Sequence, residues 1–183
     1  MLMIIGARGW EHKRWNGSFY EDLLPEDWHL KFYSSQFDAA LAPNNFWTHC
    51  SQAEIEEFCD DVEKDYPLIF EMPEDDTSVL YQSIKLTVPN WVVFEDDAEA
   101  INATNYNIRQ AKIISASNLK NNCAVFTLSS KHSLNDAALK EAMQSIKSKF
   151  KQFDVVYLFL DDALVDIDII NTARTLLKML SLT

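Results

Sequence analysis

The sequence predicts a single α/β domain of barrel type over residues 1–183, and three observations carry that expectation. A short β-branched strand at the N-terminus runs straight into a loop rich in Gly and Trp, IGARGWEHKRWNGSFY. Short apolar blocks alternate with helical patterns along the rest of the chain, as βαβ units do. Blocks such as VVYLFL are apolar throughout instead of alternating, which marks strands buried on both faces of a parallel sheet. A chain of 183 residues suits one core, and no repeat, low-complexity tract or Pro/Gly/Ser linker divides it.

Eight candidate strands follow in order, at residues 2–5, 39–42, 68–72, 84–88, 92–95, 112–116, 124–128 and 155–160. The helix expected over 27–37 carries Trp28, Leu30, Phe32 and Tyr33, with His29 on its surface. Ser51 precedes AEIEEFCDDVEK with Glu54 at the capping-box position. Asn135 or Asp136 caps AALKEAMQSIKSKF, whose Leu139, Met143 and Ile146 share a stripe. Ile167, Ile170, Ala173, Leu177 and Leu180 form the last stripe. Between Pro73 and Pro89 the pattern breaks. A parallel connection needs a crossover of about a dozen residues, so this region has lost a helix or holds an antiparallel hairpin or an irregular strand.

Composition narrows the function classes. Apolar residues make up 48% of the chain, with eleven Phe, six Tyr and five Trp, enough for a packed core. A formal charge of −12 opposes nucleic acid and anionic membrane surfaces. The small basic clusters, Lys13 with Arg14 and Lys147, Lys149 and Lys151, read as solvated faces. Three cysteines without ligand-like spacing fit reduced thiols, and no apolar run reaches membrane-spanning length. The expectation is a cytoplasmic protein with no membrane partner.

All three glycines, Gly6, Gly9 and Gly17, fall in the first seventeen residues, so the loop holds a conformation or a close approach that other residues cannot supply. Trp10, Trp15, Phe19 and Tyr20 are interleaved there with Arg8, Lys13, Arg14 and Asn16. Such a set can stack on a planar ligand or hold an anion; the alternative is that the aromatics plug the barrel mouth. GxxG is not the GxGxxG of a dinucleotide site.

At this point the sequence resembles the domain of unknown function 72, or YecE-like, family of TIM-barrel proteins. The resemblance rests on IGARGW, WNGSFY, the helix ending in FDAA, Phe46-Trp47, and, near the C-terminus, DVVYLFLDD followed by IINTARTLLKML with Asn171 and Ala173. It implies a TIM-like (β/α)8 barrel, shortened or irregular after strand three. Where that family shows Glu-x-Asn after strand two, this chain has Leu41 and Pro43; where it shows Lys after strand three, Glu71 stands. Its Arg-x-His-Gly aligns with Thr127, Leu128, Ser129 and Ser130, and its Asn-Asn with Asp161 and Asp162. The polar set that would line the barrel mouth has changed its chemistry.

In such barrels the site lies at the C-terminal strand ends. Glu71 with Glu74, Asp75 and Asp76, Glu95 with Asp96 and Asp97, and Asp161 with Asp162 are expected there. Two functions compete. The first is a non-catalytic or weakly active barrel binding a small anionic or planar ligand, or a protein, through Arg8, Trp10, Trp15, Asn16, Tyr20 and Asn45. The alternative is a Mg- or Mn-dependent hydrolase, of phosphoesters for example, with Glu71, Glu95 and Asp161 as metal ligands and Glu71 and Glu95 as candidate catalytic groups. Acidic residues at such turns also cap helices without any ligand. A shortened barrel leaves strand edges that a homo-oligomer would cover.

Overall fold

The computed structural model describes residues 1–63, 65–72, 90–93, 99–103, 106–116, 122–130, 135–161 and 165–180. The chain is α/β, built on one curled, mixed sheet. Its strands are β1 (Leu2–Arg8), β2 (Ala40–Ala42), β3 (Leu68–Met72), β4 (Asn90–Val93), β5 (Glu99–Asn102), β6 (Tyr106–Ala116), β7 (Cys123–Ser130) and β8 (Val155–Leu160). The helices are α1 (His29–Gln36), α2 (Asn44–Trp47), α3 (Gln52–Asp60), α4 (Asp136–Lys149) and α5 (Ile167–Met179). None of the helices described is long and apolar enough to cross a membrane.

Strand order is β4-β3-β2-β1-β8-β7-β6-β5, and β4 also pairs with β6, so the ladder runs round a circuit. The pairs from β4 through β3, β2, β1 and β8 to β7 are parallel. β6 runs antiparallel to β4, β5 and β7, and this is where the sheet departs from the all-parallel pattern of an eight-stranded barrel. The β4–β6 ladder supplies from within the chain a neighbour that β4 would otherwise lack.

Alternation along the strands sorts side chains into two cores. Met3, Ile5 and Ala7 of β1, Leu68 and Phe70 of β3, and Val156, Leu158 and Leu160 of β8 join the cluster that packs against the helices. Leu2 and Ile4, Leu41, Ile69, Val125, and Val155, Tyr157 and Phe159 make a second cluster from the opposite set of positions. Every residue of β8 is buried, which explains its unbroken apolar run. The second core is narrow. A Cβ on Gly6 would collide with the Ala39 carbonyl and lie 3.0 Å from the Phe159 ring. Gly9 has a different need, a φ of +82° that closes the turn after β1.

The helix caps follow the sequence pattern. Ser51 and Glu54 form a reciprocal capping box, and the Asn135 side chain accepts from the Ala138 N–H. Leu139, Met143 and Ile146, and Ile170, Ala173 and Leu177, are buried stripes. The first helix differs: a 3₁₀ turn, Glu26–Trp28, precedes α1, leaving Trp28 56% exposed. His29, expected on the surface, is buried and stacked on Tyr20, with ring centroids 3.8 Å apart. The strand expected at 84–88 lies outside the described residues, and the antiparallel pairs fall at 90–93 and 99–116, beyond the 73–89 break. The first half of β6 escapes sequence reading because Tyr106 and Ile108 face the core while Arg109 between them and Ala111 is exposed, an alternation of single residues with no apolar block.

Replacing Gly6 by Ala is expected to cost about 3 kcal/mol or more, because the obstacle is backbone, whereas Gly9→Ala costs about 1–2 kcal/mol for its backbone conformation. Urea unfolding of the two variants should place both midpoints below wild type with Gly6→Ala far lower; equal midpoints would contradict the close approach of β1 to β2.

Candidate functional site

The site grows out of strand parity. Arg8 ends β1 on the same set of positions as Leu2 and Ile4, Glu71 follows Ile69 on β3, and Asp161 follows Val155, Tyr157 and Phe159 on β8. Three strands therefore deliver three charged side chains to one end of the narrow core, where charge is tolerated only in pairs. The Arg8 guanidinium donates from Nε to Glu71 Oε2 at 2.8 Å and from a terminal nitrogen to the same oxygen at 2.6 Å. Its other terminal nitrogen lies 3.6 Å from Asp161 Oδ1. Burial raises the Glu71 carboxyl above the ordinary carboxylate value, and Arg8 opposes that rise. The Trp47 indole N–H donates to the Glu71 carbonyl at 3.0 Å and holds the strand end in place.

Beside this network lies a cavity of about 320 Å³, lined by Arg8, Trp10, His12, Asn45 and Phe46 with the backbone of the Gly9 turn and Pro43. The Gly9 N–H donates to the Leu41 carbonyl at 2.7 Å, so the turn continues the β1–β2 ladder. Trp10 meets Phe46 edge to face, centroids 4.7 Å apart. His12 Nε2 is 3.2 Å from the Arg8 carbonyl, and burial lowers the imidazole below its usual value while that hydrogen bond opposes the shift.

The remaining loop aromatics carry the turn. Tyr20 donates to the Trp10 carbonyl at 2.6 Å, and the Trp15 indole donates to the Val165 carbonyl at 3.0 Å, just ahead of α5. Tyr33 accepts from the Ala7 N–H at 2.8 Å and donates to the Ala39 carbonyl at 3.3 Å. Each polar tip is satisfied while its ring is in the core.

Of the residues singled out from sequence, the cavity brings together Arg8, Trp10 and Asn45. Trp15 and Tyr20 sit in the core behind the turn, and Asn16 is exposed beside a different, smaller cavity. Glu71 and Asp161 converge as expected from the strand ends, but on Arg8. Glu95 lies outside the described residues, as do Glu74, Asp75, Asp76, Asp96, Asp97, Asp162 and His132. Among the described residues no three His, Cys, Asp or Glu side chains group as metal ligands would. Glu11, His12, Pro43 and Phe46 complete the wall with Gly9. The signal that could have found them is position, since each lies within four residues of the end of β1 or β2.

Residues 4–82 match the family described as protein of unknown function DUF72. The crystal structure of a DUF72 family protein from Thermotoga maritima is similar to the whole chain, with a TM-score of 0.60 over 99% of this chain and 100% of that one. At 10% identity the likeness is one of fold. No curated protein matches the chain.

Removing the Arg8 charge, as in Arg8→Met, leaves Glu71 without compensation. The expected loss at neutral pH is about 1–3 kcal/mol, below that of a fully buried pair because Arg8 is 27% exposed. A carboxyl raised on folding holds its proton more tightly in the native state, so native stability is regained as pH falls towards the unfolded value. The Arg8→Met penalty should therefore shrink on acidification, measured as urea-unfolding free energies at neutral and mildly acid pH. A penalty independent of pH would remove Glu71 from this account.

Proposed function

This chain belongs to the DUF72 family, and we propose that it is a binding barrel, non-catalytic or weakly catalytic, that takes a small planar polar molecule in the strand-end cavity. The observation that supports this reading most is the Arg8–Glu71–Asp161 network. It holds the wall of the cavity in one geometry and engages, within the protein, the groups that would otherwise serve as acid, base or metal ligand. A shortened relative of the (β/α)8 barrel, with the β5–β6 hairpin in place of parallel units, accounts for the circuit of strand pairs.

Of anionic and planar ligands, the planar one is the better fit. The Arg8 charge is already shared by two carboxylates, and Glu11 lines the same cavity, so an anion would meet repulsion. A flat molecule meets Trp10 and Phe46 as an apolar wall and Asn45 as an amide with donors and an acceptor. The metal-dependent hydrolase has less to stand on, because Glu71 is occupied by a guanidinium.

Benzamide and adenine, compared with inorganic phosphate in thermal unfolding, test the reading. At least one planar probe should stabilise saturably, by about 1.4 kcal/mol at tenfold Kd, and phosphate should not. Asn45→Ala should weaken that effect about five- to tenfold without altering the unliganded Tm. Stabilisation by phosphate alone, or none by either planar probe, overturns it.

A further inference from the structure

At the N-terminal end of β1, the end away from Arg8, the strand and α5 line a crevice of about 290 Å³. Strand pairing leaves room for it. β1 pairs with β8 from Leu2 to Ala7 but with β2 only at Ala7 and Arg8, so no β2 residue flanks Leu2 to Ile5. Half-buried Leu2 and Ile4 and buried Leu177 give the crevice hydrocarbon walls. Arg174 and Lys178, one helical turn apart on α5, line it together with Asp38. The Arg174 guanidinium is held from three directions. One terminal nitrogen donates to the Gln36 carbonyl at 3.0 Å, the other lies 3.3 Å from Asp38 Oδ2, and its carbon is 5.5 Å from the Phe37 ring centroid. These contacts engage only part of its donor set. Lys178 is exposed and has no ion-pair partner among the described residues. The balance of charge sets this crevice apart from the cavities at the other end of β1. There Arg8 is set against Glu11, and the adjoining cavities carry Glu11 and Glu26 with at most one lysine. Here two cations face one carboxylate, in a chain of net charge −12.

We infer that this crevice binds a small hydrophobic monocarboxylate, its hydrocarbon body against Leu2, Ile4 and Leu177 and its carboxylate on Arg174 and Lys178. A carboxylate oxygen takes a charge-assisted hydrogen bond from the guanidinium, and the lysine adds a second positive charge. Because Arg174 is already held by Gln36, Asp38 and Phe37, little side-chain freedom is lost when the ligand arrives. Inorganic phosphate would meet the cations but gain nothing from hydrocarbon walls. A neutral apolar molecule would gain the walls and not the cations, and an ammonium would be repelled. The volume lies near the lower bound of small-ligand sites, about 300 Å³, which suits one short chain or one ring and not a two-tailed lipid. The crevice shares no residue with the strand-end cavity, and the inference does not rest on the planar-ligand reading.

Titration of the full chain with octanoate, followed by the methyl NMR signals of Leu2, Ile4 and Leu177, tests the inference. 1-Octanol and acetate serve as the uncharged and the headgroup-only counterparts. Octanoate should shift those methyls saturably, 1-octanol should bind about tenfold more weakly, and acetate should leave them unmoved. Lys178→Gln, at an exposed position, should weaken octanoate about threefold while keeping the wild-type Tm. Arg174→Met, which keeps the aliphatic stem, should weaken it about tenfold. Asp38→Asn removes the carboxylate that competes for Arg174 and should tighten binding about two- to threefold, a gain that no general loosening of the fold would give. The inference is overturned if octanoate does not saturate, if 1-octanol binds as tightly, or if neither cation variant weakens binding. It is equally overturned if the saturating shifts fall on other methyls and spare these three.

Discussion

The structure depends on how little room there is inside the sheet. β8 is buried along its whole length, and at Gly6 the backbone of β1 comes so close to Ala39 that no side chain fits. Leu, Ile, Val, Tyr and Phe fill that interior, and charge is confined to its C-terminal end. There Arg8 from β1 meets Glu71 from β3 and Asp161 from β8. A half-buried arginine brought in alone would be costly; paired, it lines a cavity.

The loop that follows is held by aromatic side chains whose polar tips reach backbone carbonyls far along the chain. The Trp15 indole spans 150 residues to Val165, and Tyr20 and Trp47 fix the backbone at Trp10 and Glu71. This explains why so many aromatics gather in a loop that displays few of them. Their area stabilises the core, and their donors set the path of the turn. What remains at the surface cavities is the edge of that arrangement, Arg8, His12, Asn45 and Phe46 on one, Glu26 on the next, and Glu11 on both.

Local chemistry was legible where one short segment contains the whole cause. The Ser51–Glu54 box, the Asn135 cap and the stripes of α4 and α5 each depend on residues within a few positions of one another. The run VVYLFL announced a strand buried twice over, and three clustered glycines announced an exceptional turn. The first half of β6 was not legible, since its alternation of single buried residues with Asn107 and Arg109 has no apolar block to mark it. His29 looked like a surface residue because nothing local reveals that Tyr20 covers its ring.

The sequence by itself determined the α/β class, the caps, the special turn after β1 and the acidic strand ends, because these follow from periodicity and backbone conformation. Only the tertiary structure decided what the carboxylates do. Strand parity and curvature carry Arg8 to Glu71, 63 residues away in the chain, and set Glu71 and Asp161, two of the three carboxylates read as metal ligands, around one guanidinium. The same folding leaves Glu11 and Glu26 without an ion-pair partner among the described residues. Pairing between charges is a matter of distance through space, and no local pattern records it.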